Sequence, residues 1–311
     1  MNYRTLGRTG LKVSVLGFGG SSLGSVFREI DEKEGVRTVH AAVEHGINFI
    51  DTSPFYGLTR AETILGKALR QIPRERYILA TKVGRYGYKE RDFDFSAARV
   101  TRSVDESLER LGTDHVDFIQ VHDMEFGSAD QIVAETLPAL RRVQAAGKAR
   151  FVGVTCLPLR LLSSVVDQAE VDQVQSYCHY CLNDTSLAAL LPHLREKAIG
   201  VINSAPIAMR LLSLEGPPAW HPAPQALRER CAEAARYCAD RGGDLSRLAL
   251  QFSVANPDIA STVVGTASPE RIERNIREIE EPIDAELLAG VQRILAPVHG
   301  VTWPSGRPEN N

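Results

Sequence analysis

Short apolar stretches, rich in β-branched residues, recur along the chain and predict its strands. They are nearly continuous in apolar residues, which is typical of strands covered on both faces rather than half exposed. These stretches lie at 13–20, 47–53, 77–84, 116–123, 149–155, 172–178, 200–206 and 260–266.

Helical patterns lie between these stretches, and several of them end at a glycine, a common helix terminator. They cover 32–46, 96–112, 128–148, 185–200, 246–256 and 268–281. Eight strand–helix units in about 250 residues predict an α/β fold of the (β/α)8 TIM-barrel type. We expect the whole chain, 1–311, to form a single domain.

Three further segments add to the predicted barrel. The alternating, glycine-punctuated segment 3–13 predicts a β-hairpin that closes the barrel floor. The proline-rich segment 214–225 is unsuited to a helix interior and predicts a long loop over the C-terminal face. The tail at 299–311 is expected to fold over a face of the barrel as well.

A doubly wound sheet is the main alternative architecture. Such a sheet would usually carry a G-x-G-x-x-G turn after its first strand. The corresponding stretch has Gly17 and Gly19 but Ser22 at the third position. The missing fingerprint favours the barrel.

Composition narrows the possible partners. A net charge of -3 gives no reason to expect nucleic acid or an anionic membrane. The sequence contains neither an apolar run of transmembrane length nor an N-terminal signal core, so we expect a cytoplasmic protein.

Five cysteines, an odd number, suggest free thiols. Cys178 and Cys181 form a C-x-x-C, but without a second ligand pair we expect core packing and no metal.

Ionisable residues end three consecutive predicted strands: Asp51, Lys82 and His122. In a barrel, functional residues lie at the C-terminal ends of strands. Each residue alone could serve as a cap, a surface charge or a core histidine. Three in succession, with Tyr56 on the loop after Asp51, point to a proton-handling site.

The chemistry expected of this site centres on Tyr56. A phenol is a poor acid or base at neutral pH unless its pKa is shifted. We predict that Lys82, with Asp51 as its counter-charge, lowers the pKa of Tyr56. His122 would then polarise a carbonyl or hold a hydroxyl group.

The stretches DTSPFYG, ATK and QVHD, taken together, resemble the aldo-keto reductases. The resemblance covers nearly the whole chain. It implies a barrel that binds a nicotinamide dinucleotide across its mouth, with Tyr56 as general acid/base. Asp51 and Lys82 would tune Tyr56, and His122 would orient the substrate oxygen.

Further stretches, among them SYCHYCLND, EGPPAWHPA and TWPSG, resemble the group within this family that oxidises C1 of L-galactose to the lactone with NAD. L-Fucose and D-arabinose are further candidate substrates. Two alternatives stay open: a general NADPH-dependent aldehyde or ketone reductase, and a non-catalytic subunit that regulates a partner. The sequence does not give the oligomeric state.

The resemblance also implies a set of cofactor contacts. These are Gly19, Gly20, Asp51, Thr155, Gln175, Ser204, Ala205, Pro206, Ile207, Met209, Gly265, Thr266, Arg271 and Asn275.

The chain departs from the family pattern at several of these positions. Thr155-Cys156 replaces a frequent Ser-Asn, and Ser204 replaces a tyrosine that stacks on the nicotinamide. Gly265 stands where NADP-preferring relatives often carry a lysine, which favours NAD, although Arg271 and Arg274 leave NADP possible. The aromatic candidates for sugar contact are Phe55, Tyr86, Trp220 and Trp303.

Overall fold

The computed structural model describes residues 1–26 and 28–311. Eight parallel strands close into a barrel, the last strand pairing with the first, as the apolar stretches predict. The barrel strands are β3 (Leu16–Gly19), β4 (Phe49–Asp51), β5 (Ile78–Val83), β6 (Val116–Val121), β7 (Ala149–Cys156), β8 (Gln173–Tyr177), β9 (Gly200–Ser204) and β10 (Ser261–Gly265).

Helices surround the barrel. They are α1 (Glu32–Glu44), α2 (Arg60–Leu69), α3 (Ala97–Leu111), α4 (Ala129–Gln131), α5 (Leu137–Ala145), α6 (Leu159–Gln168), α7 (Leu191–Glu196), α8 (Gln225–Ala239), α9 (Leu245–Ala255), α10 (Pro269–Glu280) and α11 (Ala285–Leu295). A π-helical segment, Ile132–Thr136, joins α4 to α5. Four of these helices, α2, α6, α8 and α11, were not predicted from the sequence.

The N-terminal hairpin consists of β1 (Tyr3–Thr5) and β2 (Lys12–Ser14), which pair antiparallel. Leu6 and Val13, both fully buried, pack with Phe49, Phe118 and Ile202 from inside the lower barrel. The hairpin therefore closes the floor, as the sequence predicts.

The alternation of side chains along each strand sorts the barrel interior into layers. Phe49 lies in the lower apolar layer, and Asp51, two residues further along β4, points the same way into the upper layer. In β5 and β6 the register places Lys82 beside Gln120 at the same height. Polar side chains therefore gather inside the barrel at its C-terminal end, while Ile50, Leu79 and Ile119 pack outward against the helices.

Long segments lie over this C-terminal end, the mouth of the barrel. The loop 205–224 follows β9 and leads into α8. The tail crosses loops that follow β6 and β8, since Arg307 N–H donates to Glu125 O at 2.9 Å and Gly300 N–H to Asn183 O at 2.9 Å. The expected coverage of this face by the loop and the tail is confirmed.

Candidate active site

An ion pair lies at the centre of the mouth. Lys82 Nζ is 2.6 Å from Asp51 Oδ2 and 2.7 Å from Oδ1, and it donates to the carbonyl of Thr52 at 2.8 Å. The two charged side chains are only 1% and 3% exposed. Gln120 Nε2 donates to Asp51 Oδ1 at 3.1 Å. A buried charge needs a partner of opposite sign, and here each charge compensates the other.

His122 lies beside this pair as a neutral imidazole. Burial lowers its pKa to about 3, although Asp123 acts in the opposite direction. Its Nδ1 is 2.9 Å from Ser53 Oγ, and that oxygen accepts the amide N–H of Phe55 at 3.1 Å. Since Ser53 then has its hydroxyl hydrogen left to donate, the network favours the tautomer with the proton on Nε2. Such an Nε2–H can donate to a substrate oxygen.

Tyr56 completes the group. Its ring stands perpendicular to the His122 ring with centroids 5.6 Å apart, and Lys82 Nζ lies 5.2 Å from its ring centroid. Burial raises the pKa of Tyr56 well above its ordinary value, and the carboxylates of Asp51 and Asp123 add to this. The prediction that Lys82 lowers this pKa is therefore wrong for the structure, because Asp51 neutralises the lysine and desolvation remains.

The loop that carries Tyr56 is tightly folded. Tyr56 N–H donates to Ser53 O at 3.1 Å, and Gly57 has a left-handed backbone with φ 62°. A Cβ atom on Gly24 would lie 2.5 Å from the carbonyl carbon of Tyr56. The two chain segments can approach this closely only because Gly24 carries no side chain.

The predicted contacts for a nicotinamide ring lie on neighbouring strands. Gln175 Nε2 donates to Ser204 Oγ at 2.8 Å and approaches Asp51 Oδ2 at 3.4 Å. Gln175 Oε1 is buried and has no hydrogen-bond partner among the described residues. An unpaired buried acceptor here suits the NH2 group of a carboxamide, so these residues fit the cofactor.

Thr155 and Cys156, which replace the family's Ser-Asn, point in different directions. Thr155 Oγ1 accepts the backbone N–H of Asp123 at 2.9 Å and faces the interior. Cys156 is fully buried in the cluster between strands and helices, and its thiol donates to Pro158 O at 3.3 Å. We therefore expect only Thr155 to face the cofactor.

Two further groups of predicted contacts border the mouth. Gly19 and Gly265 are paired residues of β3 and β10, with Gly20 and Thr266 directly after them. The segment 205–209 follows β9, and Ala205, Ala208 and Met209 have left-handed backbones with φ between 45° and 55°. Pro206 and Ile207 complete this segment.

The helix α10 begins next to Thr266, whose Oγ1 accepts the N–H of Ser268 at 3.2 Å. Asn275 is buried on this helix, whereas Arg271 is exposed and forms no ion pair with any described residue. Arg274 pairs with Glu278 at 2.6 Å and with Asp244 at 2.9 Å. Of the two arginines considered for a phosphate, only Arg271 lacks a carboxylate partner in this part of the structure.

The four aromatic candidates for sugar contact lie in different surroundings. Phe55 packs against His122 with centroids 5.9 Å apart, so it borders the site. Tyr86 lies beneath the guanidinium group of Arg99, 3.7 Å away, on the α3 side. Trp303 is buried against His221 at 5.0 Å, and Trp220 is 55% exposed.

Several side chains of the site were not predicted from the sequence: Ser53, Arg85, Gln120, Asp123 and Glu125. Arg85 Nη1 is 2.5 Å from Asp123 Oδ2, and its guanidinium carbon lies 3.6 Å from the centre of the Phe55 ring. Gln120 precedes His122 by two residues, and Ser53 follows Asp51 by two. The period of two along a strand was therefore a usable signal for both.

The five cysteines are all buried and free. Cys178 and Cys181 pack in an apolar cluster with Leu157 and Trp303. Across the described ranges, no group of three or more His, Cys, Asp and Glu side chains could hold a metal ion. Likewise, none of the helices in 1–26 and 28–311 is long and apolar enough to cross a membrane.

A model of the Aldo/keto reductase family matches residues 15–296. The chain belongs to the aldo-keto reductase family. It is therefore an oxidoreductase of a family that uses nicotinamide cofactors, and the orphaned Gln175 acceptor is consistent with that chemistry.

Relatives of this aldo-keto reductase cover nearly its whole length. L-galactose dehydrogenase of Arabidopsis thaliana is 50% identical over 99% of this chain and 98% of its own. D-arabinose 1-dehydrogenase of Saccharomyces cerevisiae is 31% identical over 95% of each chain. The holo form of aldo-keto reductase AKR11C1 from Bacillus halodurans superposes with a TM-score of 0.78, at 27% identity over 98% of both chains.

Proposed function

We propose that this enzyme oxidises C1 of L-galactose to the lactone with NAD as hydride acceptor. The similarity to a full-length L-galactose dehydrogenase, at 50% identity, carries the choice of substrate. The buried Lys82–Asp51 pair with Tyr56 and a neutral His122 beside it supports the reaction type.

The proposed reaction removes one proton and one hydride from the hemiacetal. Tyr56, acting as phenolate, takes the proton of the C1 hydroxyl while His122 Nε2–H holds the same oxygen. The hydrogen on C1 leaves with both electrons of its bond, and the bond from C1 to the former hydroxyl oxygen becomes the lactone carbonyl. NAD, when bound, supplies the hydride acceptor and a positive charge that favours the ionised phenol.

Chain residues also support NAD over NADP. Gly265 brings no charge to the end of β10, and two carboxylates hold Arg274. Arg271 is exposed, and we expect it to be the arginine that meets a 2′-phosphate when NADP binds.

The test is an initial-rate screen of L-galactose, L-fucose and D-arabinose with NAD and NADP. We expect the highest kcat/KM with L-galactose and NAD. Arg271→Ala should lower the residual NADP rate and leave the NAD rate within about two-fold, because an exposed arginine matters most to the added phosphate. Strong NADP preference would overturn the cofactor assignment.

Related aldoses form the second candidate substrate class, favoured by the 31% identity to D-arabinose 1-dehydrogenase. The same screen separates the two classes by their kcat/KM values. NADPH-linked reduction of simple aldehydes, without oxidation of any sugar, would instead identify a general reductase.

A further inference from the structure

Glu125 is a buried carboxyl group that connects the barrel mouth to the C-terminal tail. It lies in the short turn Met124–Phe126, three residues after His122, and it is fully buried. Its Oε1 accepts hydrogen bonds from Tyr177 Oη at 3.1 Å and Ser305 Oγ at 2.9 Å. Its Oε2 is buried and has no hydrogen-bond partner within the described ranges.

The tail is shaped to cover this turn. Asn310 Nδ2 donates to Glu125 O at 2.7 Å and to Gly127 O at 3.0 Å. A Cβ atom on Gly306, which has φ +74°, would lie 2.2 Å from Glu125 O. The contact is therefore a close fit of tail backbone on turn backbone, and a tail that lifts away would expose Glu125 to water.

The groups around this carboxyl are acidic or neutral. Asp123 faces it from the same loop, the Cys156 thiol from β7 and the Tyr177 phenol from β8. The nearest tail cation, Arg307, donates its Nε to Phe126 O. No ion pair involves Glu125 in the part of the chain that the structure describes.

Burial raises the pKa of Glu125 from 4.5 to about 7, and the Asp123 carboxylate adds to this. A group whose pKa is higher in the docked state binds its proton more tightly there, so proton binding favours docking. The docked tail is favoured most below pH 4.5, and this advantage is lost as the pH rises through about 7. The interval between these pKa values corresponds to at most about a 300-fold change in the docking equilibrium.

We propose that Glu125 is a positioning residue that holds residues 299–311 against the mouth, and that protonation of its carboxyl group strengthens this docking. This inference goes beyond the proposed function, because the docking itself requires no particular substrate.

Trp303 reports on the tail directly. The chain has two tryptophans, Trp220 and Trp303, and Trp303 is only 7% exposed where the tail packs on His221. In a Trp220→Phe background, we would measure quenching of Trp303 by acrylamide from pH 5.5 to 8.5. We expect quenching to increase several-fold with a midpoint near pH 7, where Glu125 loses its proton.

Two variants isolate the carboxyl group. Glu125→Gln keeps the size and an acceptor oxygen but cannot titrate, so its quenching should be independent of pH. Ser305→Ala removes one tail contact and should raise quenching throughout, with the pH dependence preserved. His221 also contacts Trp303, so a pH-dependent change in quenching that came from His221 would persist in Glu125→Gln. An unchanged transition in Glu125→Gln, or no transition in the parent, would overturn the proposal.

Discussion

Tyr56 is a phenol whose surroundings keep it protonated. Burial and two nearby carboxylates raise its pKa, while Asp51 cancels the lysine that was expected to lower it. The sequence could place Lys82 near Tyr56 from the order of the strands. It could not reveal the sign of the shift, because that depends on which charge remains unpaired once Lys82 and Asp51 meet.

Tyr56→Phe is therefore predicted to lower kcat for sugar oxidation by about 10²- to 10⁴-fold, the usual contribution of a general acid or base. Cofactor affinity, measured by fluorescence titration, should stay near that of the wild type. Tyr86→Phe is the matched control, because the Tyr86 ring packs beneath the guanidinium group of Arg99 and its hydroxyl accepts the N–H of Gly84.

The raised pKa of Tyr56 also predicts a pH dependence of the rate. Oxidation needs the phenolate, so a raised pKa means that kcat/KM should increase with pH throughout the range below that pKa. Stopped-flow rates of hydride transfer would show whether the increase belongs to the chemical step. A flat profile in the wild type would contradict the role of Tyr56 as general base.

At the scale of elements, the strands were predictable and some helices were not. The barrel strands are largely buried on both faces, which leaves nearly continuous apolar stretches in the sequence. The sequence signal for the helix α8 is weak, because alanines, cysteines and charged residues occupy much of its length and leave few large apolar residues at helical spacing. The meeting of Glu125 with Ser305, which are 180 residues apart, left no periodic trace at all.

The loop that carries Tyr56 depends on Gly24, which is part of a different βα unit. We predict that Gly24→Ala lowers kcat by about 10- to 100-fold and stability by about 1–3 kcal/mol, because the added Cβ meets backbone that cannot rotate away. Urea denaturation and steady-state rates would measure the two effects. Gly35→Ala is the control, since its Cβ meets only side-chain methyl groups.

At the scale of the whole molecule, forming the site requires the burial of charged and polar side chains at one end of the barrel. The polar layer above Phe49 and Phe118 holds a charged pair, two amides and a neutral imidazole at one end of an otherwise apolar barrel. The alternation of β-strands made the inward orientation of these residues predictable. The protonation state of His122 follows only from its burial, which requires the folded barrel.

His122 gives the clearest consequence for stability. Its pKa is about 3 in the folded protein against 6.5 in the unfolded chain, so the unfolded state binds the extra proton as the pH falls. The stabilising effect of the neutral imidazole is complete above pH 6.5 and is lost progressively towards pH 3. Relative to His122→Gln, the wild type should lose about 1.7 kcal/mol of unfolding free energy between pH 6.5 and 5. Urea denaturation of both proteins at the two pH values tests this, and equal losses would show that His122 is already charged in the folded state.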